Sequence, residues 1–382
     1  MRLSTLFLLA TLLCLPGSAG GQQIAPNPNP VGNYILLNGA GNVNNVPYDN
    51  NGTLGLAYAG TLDNWSTLTN SGALTTSGEL KNHVGSTLEN NGLLENEFTG
   101  YLLNWGTFVN NGSRAEFFGG MLDNVGTLEN NSWLGGGFVM RNYGTLNNQS
   151  GATLIFNDTM ENDSAATLNN SGTLENWSSG TLTNNGTLNN NGTLTNYGTF
   201  YNNDSLYTTS GTFDNWGTYG GGGIIFGNWY DQGVLQPGQT PGVVTIEGNY
   251  YKQGGSIEIE LGGLFDGGGD NSLSEFDWLD VTGDVELAGV LDVYLINSFQ
   301  LLAGMSFEIL NVGGTLTGEY DGLPDGALVG TFSGTDLFIN YAGGDGNDVT
   351  LFSQAAGPAV PEPAALLLAL LGLALLPRRR GR

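Results

Sequence analysis

Cysteine, histidine and basic residues are nearly missing from this 382-residue chain, which has 1 Cys, 1 His and 9 Lys and Arg against 35 Asp and Glu. The lone Cys14 allows no internal disulfide, so an exported fold must rest on backbone pairing and burial. The lone His83 excludes a histidine-based triad and a multi-histidine metal centre. With a formal net charge of −26, nucleic acid is excluded as a partner, because phosphate binding needs Lys and Arg to displace counterions. Long apolar runs are scarce as well. Only residues 6–15 and 364–376 qualify, and both fall short of the roughly 20 residues of a stable membrane-spanning helix.

Those two runs sit at the ends. Arg2, the first apolar run and the small residues Pro16, Gly17, Ser18 and Ala19 have the order of a secretory signal peptide cleaved after Ala19. Near the other end, Pro361, Glu362 and Pro363 lead into the second run, which Arg378, Arg379, Arg380 and Arg382 close. The basic cluster would hold that end on the cytoplasmic side. This tripartite order, confined to residues 360–382, resembles the PEP-CTERM sorting signal of Gram-negative surface proteins. The resemblance implies an exosortase-type protease as processing partner, a transient inner-membrane anchor with a short apolar helix, and release to the cell surface or beyond. Without both ends, the basic residues left are Lys81, Arg114, Arg141 and Lys252. Such an acidic chain favours solubility, divalent cations and neutral or basic partners.

Between residues 51 and 222 the chain restates one phrase, GTLxN. Its apolar residue recurs at Leu122, Leu128, Leu134, Met140, Leu146, Leu154, Met160, Leu168, Leu174, Leu182 and Leu188, in steps of six or eight. Strand side chains alternate faces with period two, so even steps keep these residues on one face, whereas a 3.6-residue period would scatter them. One apolar residue per strand cannot offset its own ordering entropy. Each unit must therefore stack on copies of itself, and a parallel β-solenoid results. Asn followed by an aromatic or other residue at Asn64, Asn82, Asn104, Asn124, Asn142, Asn162, Asn176, Asn196 and Asn215 falls mostly 18 to 22 residues apart. That spacing favours three strands per coil; the alternation of six and eight also permits a two-stranded coil of about 14. Equivalent Asn amides would form ladders along the stack, and Asn and Gly suit corners that need positive φ. The phrase is similar to the β-helical repeats of filamentous haemagglutinin and other secreted adhesins.

Residues 223–354 alternate cleanly. Ile257, Ile259 and Leu261 face one way, as do Leu279, Val281, Val285, Leu287, Leu291, Val293 and Leu295, with carboxylates between them. Such strands have one wet face. Residues 233–253 and 339–351 resemble the C-terminal part of autotransporter-type passenger proteins, which implies a right-handed β-helix continued and capped here. The expected organisation is a signal peptide (1–19), an N-terminal cap or lead-in (20–50), the repeat solenoid (51–222), a β-rich C-terminal region (223–354), and a linker with the sorting signal (355–382). Caps are needed because an open solenoid end would template aggregation.

Few residues offer chemistry. Asp63, Glu89, Glu95, Asp123, Glu129 and Glu175 follow the repeat Leu and face outward, so stacking could pair carboxylates as a glycosidase requires; an acidic face that keeps rods apart is the plainer reading. GGDGNDVTL at 343–351 approximates a calcium-binding nonapeptide, with Asp345 and Asp348 as candidate calcium ligands, although a single copy fits a structural turn better. Asp266, Asp270 and Asp277 make a further acidic loop. Trp65, Trp105, Tyr143, Trp177, Tyr197 and Trp216 are candidates for one row of rings that stacks on a polysaccharide, or on one another.

The expected protein is thus all-β, exported, and a non-enzymatic surface or extracellular-matrix component that is adhesin-like and accompanies biofilm polysaccharide. No catalytic residue and no cofactor other than calcium is assigned. A carbohydrate-active β-helix enzyme is the first alternative, and it requires carboxylates converging with Arg114 or Arg141. An ice-binding solenoid is the second, suggested by the Thr-Leu-Thr triplets that begin at Thr67, Thr181 and Thr193.

Overall fold

A computed structural model describes residues 21–238 and 241–356. The signal-peptide residues, the sorting motif at Pro361–Pro363 and Arg378–Arg380, and the expected apolar helix lie outside the described residues.

The repeats fold as their even spacing requires. In the strand Thr61–Asn64, Leu62 and Asn64 are fully buried while Thr61 and Asp63 look outward. A two-residue corner leads to the next strand, Thr67–Asn70. Elsewhere the corner has four residues, as at 57–60 between Thr53–Leu56 and Thr61–Asn64. Four plus two and four plus four give the steps of six and eight, and both keep the leucine inside.

Three strands complete a coil, which decides the open alternative in favour of three sides. The first sheet has 14 strands, including Thr61–Asn64 and Tyr101–Asn104; the second has 16, including Thr67–Asn70; the third has 14, including Ala73–Thr76. Successive coils pair parallel and in register. In the second sheet Leu68, Leu88, Phe108, Leu128, Leu146, Leu168 and Leu188 are consecutive partners, all fully buried. Each contributes about 1.5–3 kcal/mol of burial, which no isolated four-residue strand could supply. The solenoid is one shared interior.

Above each leucine the inward asparagines form ladders. In the first sheet, Asn44, Asn64, Asn82, Asn104, Asn124, Asn142, Asn162, Asn184 and Asn202 each donate Nδ2 to the Oδ1 of the next, at 2.6–2.8 Å. A second column runs from Asn29 to Asn190. The other amide hydrogen ties the corner, as where Asn104 Nδ2 donates to Thr127 O at 2.9 Å. In the third sheet Phe117, Gly136 and Phe156 interrupt the column, with Phe117 stacked on Phe138 at 4.4 Å. The Oδ1 atoms of Asn96 and Asn176, on either side of that plug, have no hydrogen-bond partner.

Two expectations are corrected. Glycine supplies positive φ at some corners, as at Gly85, Gly119, Gly120 and Gly151, but among described residues the conformation occurs outside glycine only at Asn297, Ser298 and Ser333, so the repeat asparagines do not use it, and neither Gly72 nor Gly92 has it. Glycine is required there by close approach, because a Cβ on Gly92 would collide with the carbonyl oxygen of Gly72 in the coil below. The domain boundaries also shift. Residues 20–50 are no separate cap; Gln22–Gln23 and Asn42–Asn44 belong to the first sheet, Tyr48–Asn50 to the second and Tyr34–Leu37 to the third. Nor is there a break at 222, since all three sheets continue through Ser256–Leu261, Leu316–Gly318 and Ser306–Val312. Stacking needs an inward apolar residue and a parallel edge, and the literal GTLxN phrase is dispensable. The antiparallel strand pairs among the described residues join Ser306–Val312, Asp348–Ala355, Thr335–Gly343 and Leu328–Phe332, which extend the second sheet as a meander.

Candidate ligand-binding surfaces

The six aromatic residues do not form one row. Trp65, Trp105 and Tyr143 follow strands of the first sheet, whereas Trp177, Tyr197 and Trp216 follow strands of the third. The step from Asn162 to Asn176 spans two strands instead of three, so the series changes corners there. In the first row Trp65 and Trp105 enclose His83. His83 lies flat on Trp65, centroids 3.5 Å apart at 5°, and faces Trp105 at 5.4 Å and 25°. Its Nε2 is 2.8 Å from Asp63 Oδ1. In the second row Trp177, Tyr197 and Trp216 occupy three consecutive coils, each close to half exposed. Trp177 Nε1 donates to Glu175 Oε2 at 3.0 Å. This second row presents more ring surface to a ligand.

The threonine triplets disperse. Thr67–Asn70 is in the second sheet, Thr181–Asn184 in the first and Thr193–Asn196 in the third, so no face carries them as a two-column rank. The arginines separate too. Arg114, on the third sheet, pairs with Glu116 and stacks 4.4 Å over Trp133. Arg141, on the first sheet, lies 3.9 Å from Asp123. Most of the outward acids are spread likewise, as where Asp63 stacks beside Lys81 and Glu89 is separated from Glu129 by Val109; Glu95 alone of these stacks on a carboxylate, Glu116, which Arg114 pairs. Glu175, the last of them, follows Ile155.

The carboxylates that do converge were not singled out by the repeat. A groove of about 500 Å³ on the first sheet is lined by Tyr201, Gly220, Gln236, Glu258, Glu260 and Asp277. Gly220 leaves room for the Tyr201 ring to lie across the strand. Gln236 Nε2 donates to Glu258 Oε2 at 2.8 Å. Asp277 is buried, and its two oxygens accept from Gly242 N at 2.7 Å and Glu260 N at 2.9 Å. Burial outweighs those donors and pushes its carboxyl up to about 8. The sequence signal was an outward glycine opposite an aromatic, legible only once the register was known.

At the end of the third column the ladder changes chemistry. Asn215 donates to Asp231 Oδ1 at 2.8 Å, and from the following coil Lys252 Nζ reaches back to Asp231 Oδ2 at 2.6 Å and Gly233 O at 2.7 Å. Tyr250 Oη adds a third donor at 2.9 Å. An ionised carboxylate only accepts, so Asp231 receives donors from both directions and ends the ladder. Both charged side chains are fully buried. Burial lowers the Lys252 ammonium below its usual range, against the opposing pull of Asp231.

The expected calcium ligands form a turn. Asp348 is buried, with Oδ1 accepting from Val312 N at 2.8 Å and Oδ2 from Asp345 N at 3.1 Å. Asp345 is exposed. Asn347 Nδ2 donates to Val312 O at 2.8 Å, fastening the hairpin to the solenoid. Asp270 caps the short helical turn Asn271–Leu273, and Asp266 accepts from Gly268 N. No group of three or more His, Cys, Asp or Glu arranged for a metal occurs among the described residues. No described helix is long and apolar enough to cross a membrane.

The chain matches no protein-family model and no curated protein. Its parallel β-solenoid architecture therefore stands on the geometry alone.

Proposed function

We propose that this chain is an exported, non-enzymatic β-rod that serves as a structural or adhesin-like component of the cell surface or extracellular polymer layer. The observation that supports this reading best is the uniformity of the rod. One outward Thr column on the second sheet, at Thr67, Thr87, Thr107, Thr127, Thr145, Thr167 and Thr187, repeats coil after coil, as a surface does that meets a repetitive partner at many equivalent points. The sorting motif at Pro361, Glu362, Pro363, Arg378, Arg379 and Arg380 is the proposed address, read by an exosortase-type protease, and extracellular polysaccharide is the proposed neighbour. Fractionation of cells expressing the chain with and without residues 360–382 tests this. The intact chain is expected at the surface or in the matrix, and the truncated one in the periplasm; retention of both in the cytoplasm sinks the reading.

A second reading, glycoside cleavage, has the groove around Glu258, Glu260 and Asp277 in its favour. Against it, both Asp277 oxygens face backbone N–H groups, so its proton is not presented to a glycosidic oxygen. Turnover of a polysaccharide that is abolished by Glu258→Gln would establish the enzyme instead.

A further inference from the structure

A shallow pocket of about 540 Å³ lies on the first sheet beside the corner at residues 97–100, lined by Phe98, Tyr101, Met121, Asp123 and Arg141 among others. It is distinct from both rows of corner rings. Phe98 sits on the four-residue corner closed by Gly100 N to Glu97 O at 2.7 Å, and the residue is 82% exposed. The next coil passes directly beneath it at Gly119, where φ is +122° and a Cβ would meet Phe98 Cα at 3.0 Å. One edge of the phenyl ring rests over Gly119, where its Cδ1 would lie 3.1 Å from such a Cβ, and the rest of the ring is open to solvent.

Asp123 supplies the floor. It is 8% exposed as a residue and 11% over its side chain. Tyr101 Oη donates to its Oδ2 at 2.6 Å, yet its Oδ1 is buried without a hydrogen-bond partner. The nearest cation, Arg141 Nη1, stops 3.9 Å away from that oxygen and contacts Met121 Sδ at 3.3 Å. A buried carboxylate oxygen without a donor calls for a ligand or solvent to supply one.

We propose that this pocket binds one ring of a neutral polysaccharide: Phe98 receives the apolar face of the pyranose, one hydroxyl donates to Asp123 Oδ1, and a neighbouring hydroxyl accepts from Arg141. Asp123 and Arg141 cancel in charge, and the rod around them is acidic, so an uncharged polyhydroxy ligand fits and a polyanion does not. The proposal rests on the extracellular reading above, which puts glycan within reach of the rod.

The test is calorimetric titration of the full exported chain with cellohexaose, maltohexaose and mannohexaose as neutral probes and hexagalacturonate as the charged one. At least one neutral probe is expected to bind, with hexagalacturonate roughly tenfold weaker or worse. Phe98→Ala and Asp123→Asn should each weaken the neutral probe roughly tenfold, while Tyr294→Ala, exposed at the far end of the same sheet, leaves it unchanged. Phe98 is exposed, so Phe98→Ala decides the matter should Asp123→Asn misfold. Binding by none of the neutral probes overturns the proposal, as does binding that survives Phe98→Ala. Binding lost in Trp177→Ala instead would place the sugar on the third-sheet corner, which overturns the pocket but leaves the matrix reading standing. Cell fractionation fails or succeeds independently of all these outcomes.

Discussion

Asn124 illustrates how much one side chain does in this fold. It accepts from Asn104 at 2.7 Å and donates to Asn142 Oδ1 at 2.8 Å and to Thr145 O at 2.9 Å. Asn124→Leu leaves buried groups without partners, each costing about 1–3 kcal/mol, and should lower the urea midpoint with little change in slope. The Asp231–Lys252 pair is a sharper case. Lys252→Met strands a buried carboxylate and should cost about 3–5 kcal/mol, whereas the double variant Asp231→Leu, Lys252→Met should recover much of the loss in equilibrium unfolding. Asp277 predicts a pH dependence. Burial holds its folded pKa at about 8, above the ordinary carboxyl value of 3.8, so folding takes up a proton in between. The stabilisation is complete below about pH 4 and is lost as pH rises through 8. Urea midpoints across that interval should fall for the wild type and flatten for Asp277→Asn; equal slopes would show that Asp277 is not the group responsible.

At the scale of the strand and its corner, the unit is a four-residue strand plus two or four residues of turn, and the coil is three of them. Deleting residues 171–190 joins Asn170 to Asn191 and removes one full coil, because Asn170 and Asn190 are direct partners. The shortened chain should still melt cooperatively, and small-angle scattering should find the rod about 5 Å shorter. Gly92→Val, by contrast, drives a side chain into the Gly72 carbonyl and should lower the melting temperature by far more than a surface substitution does. The unit was legible from the even steps between leucines, since only strand periodicity keeps Leu62, Leu68 and Leu74 on one side. The corner that each aromatic occupies was not. Trp177 follows the same local phrase as Trp65, and only counting strands around the coil separates them.

For the whole molecule, 14 stacked strands at about 4.8 Å make a rod of about 60 Å. The meander of residues 306–355 extends one sheet antiparallel where the parallel stack runs out. Removing residues 319–356 should leave the Ser306–Val312 edge unpaired and turn a monodisperse rod into one that associates end to end, visible by light scattering. The sequence by itself determined the all-β class, the parallel stack, the leucine interior and the asparagine ladders, because these follow from a local period repeated many times. Only the tertiary structure decided the three sides, the two separate aromatic rows, the Asp231–Lys252 terminus, and the pockets at Asp123 and Asp277. Those depend on which residues of different coils come to lie one above another, and that register is fixed by the summed lengths of all intervening corners.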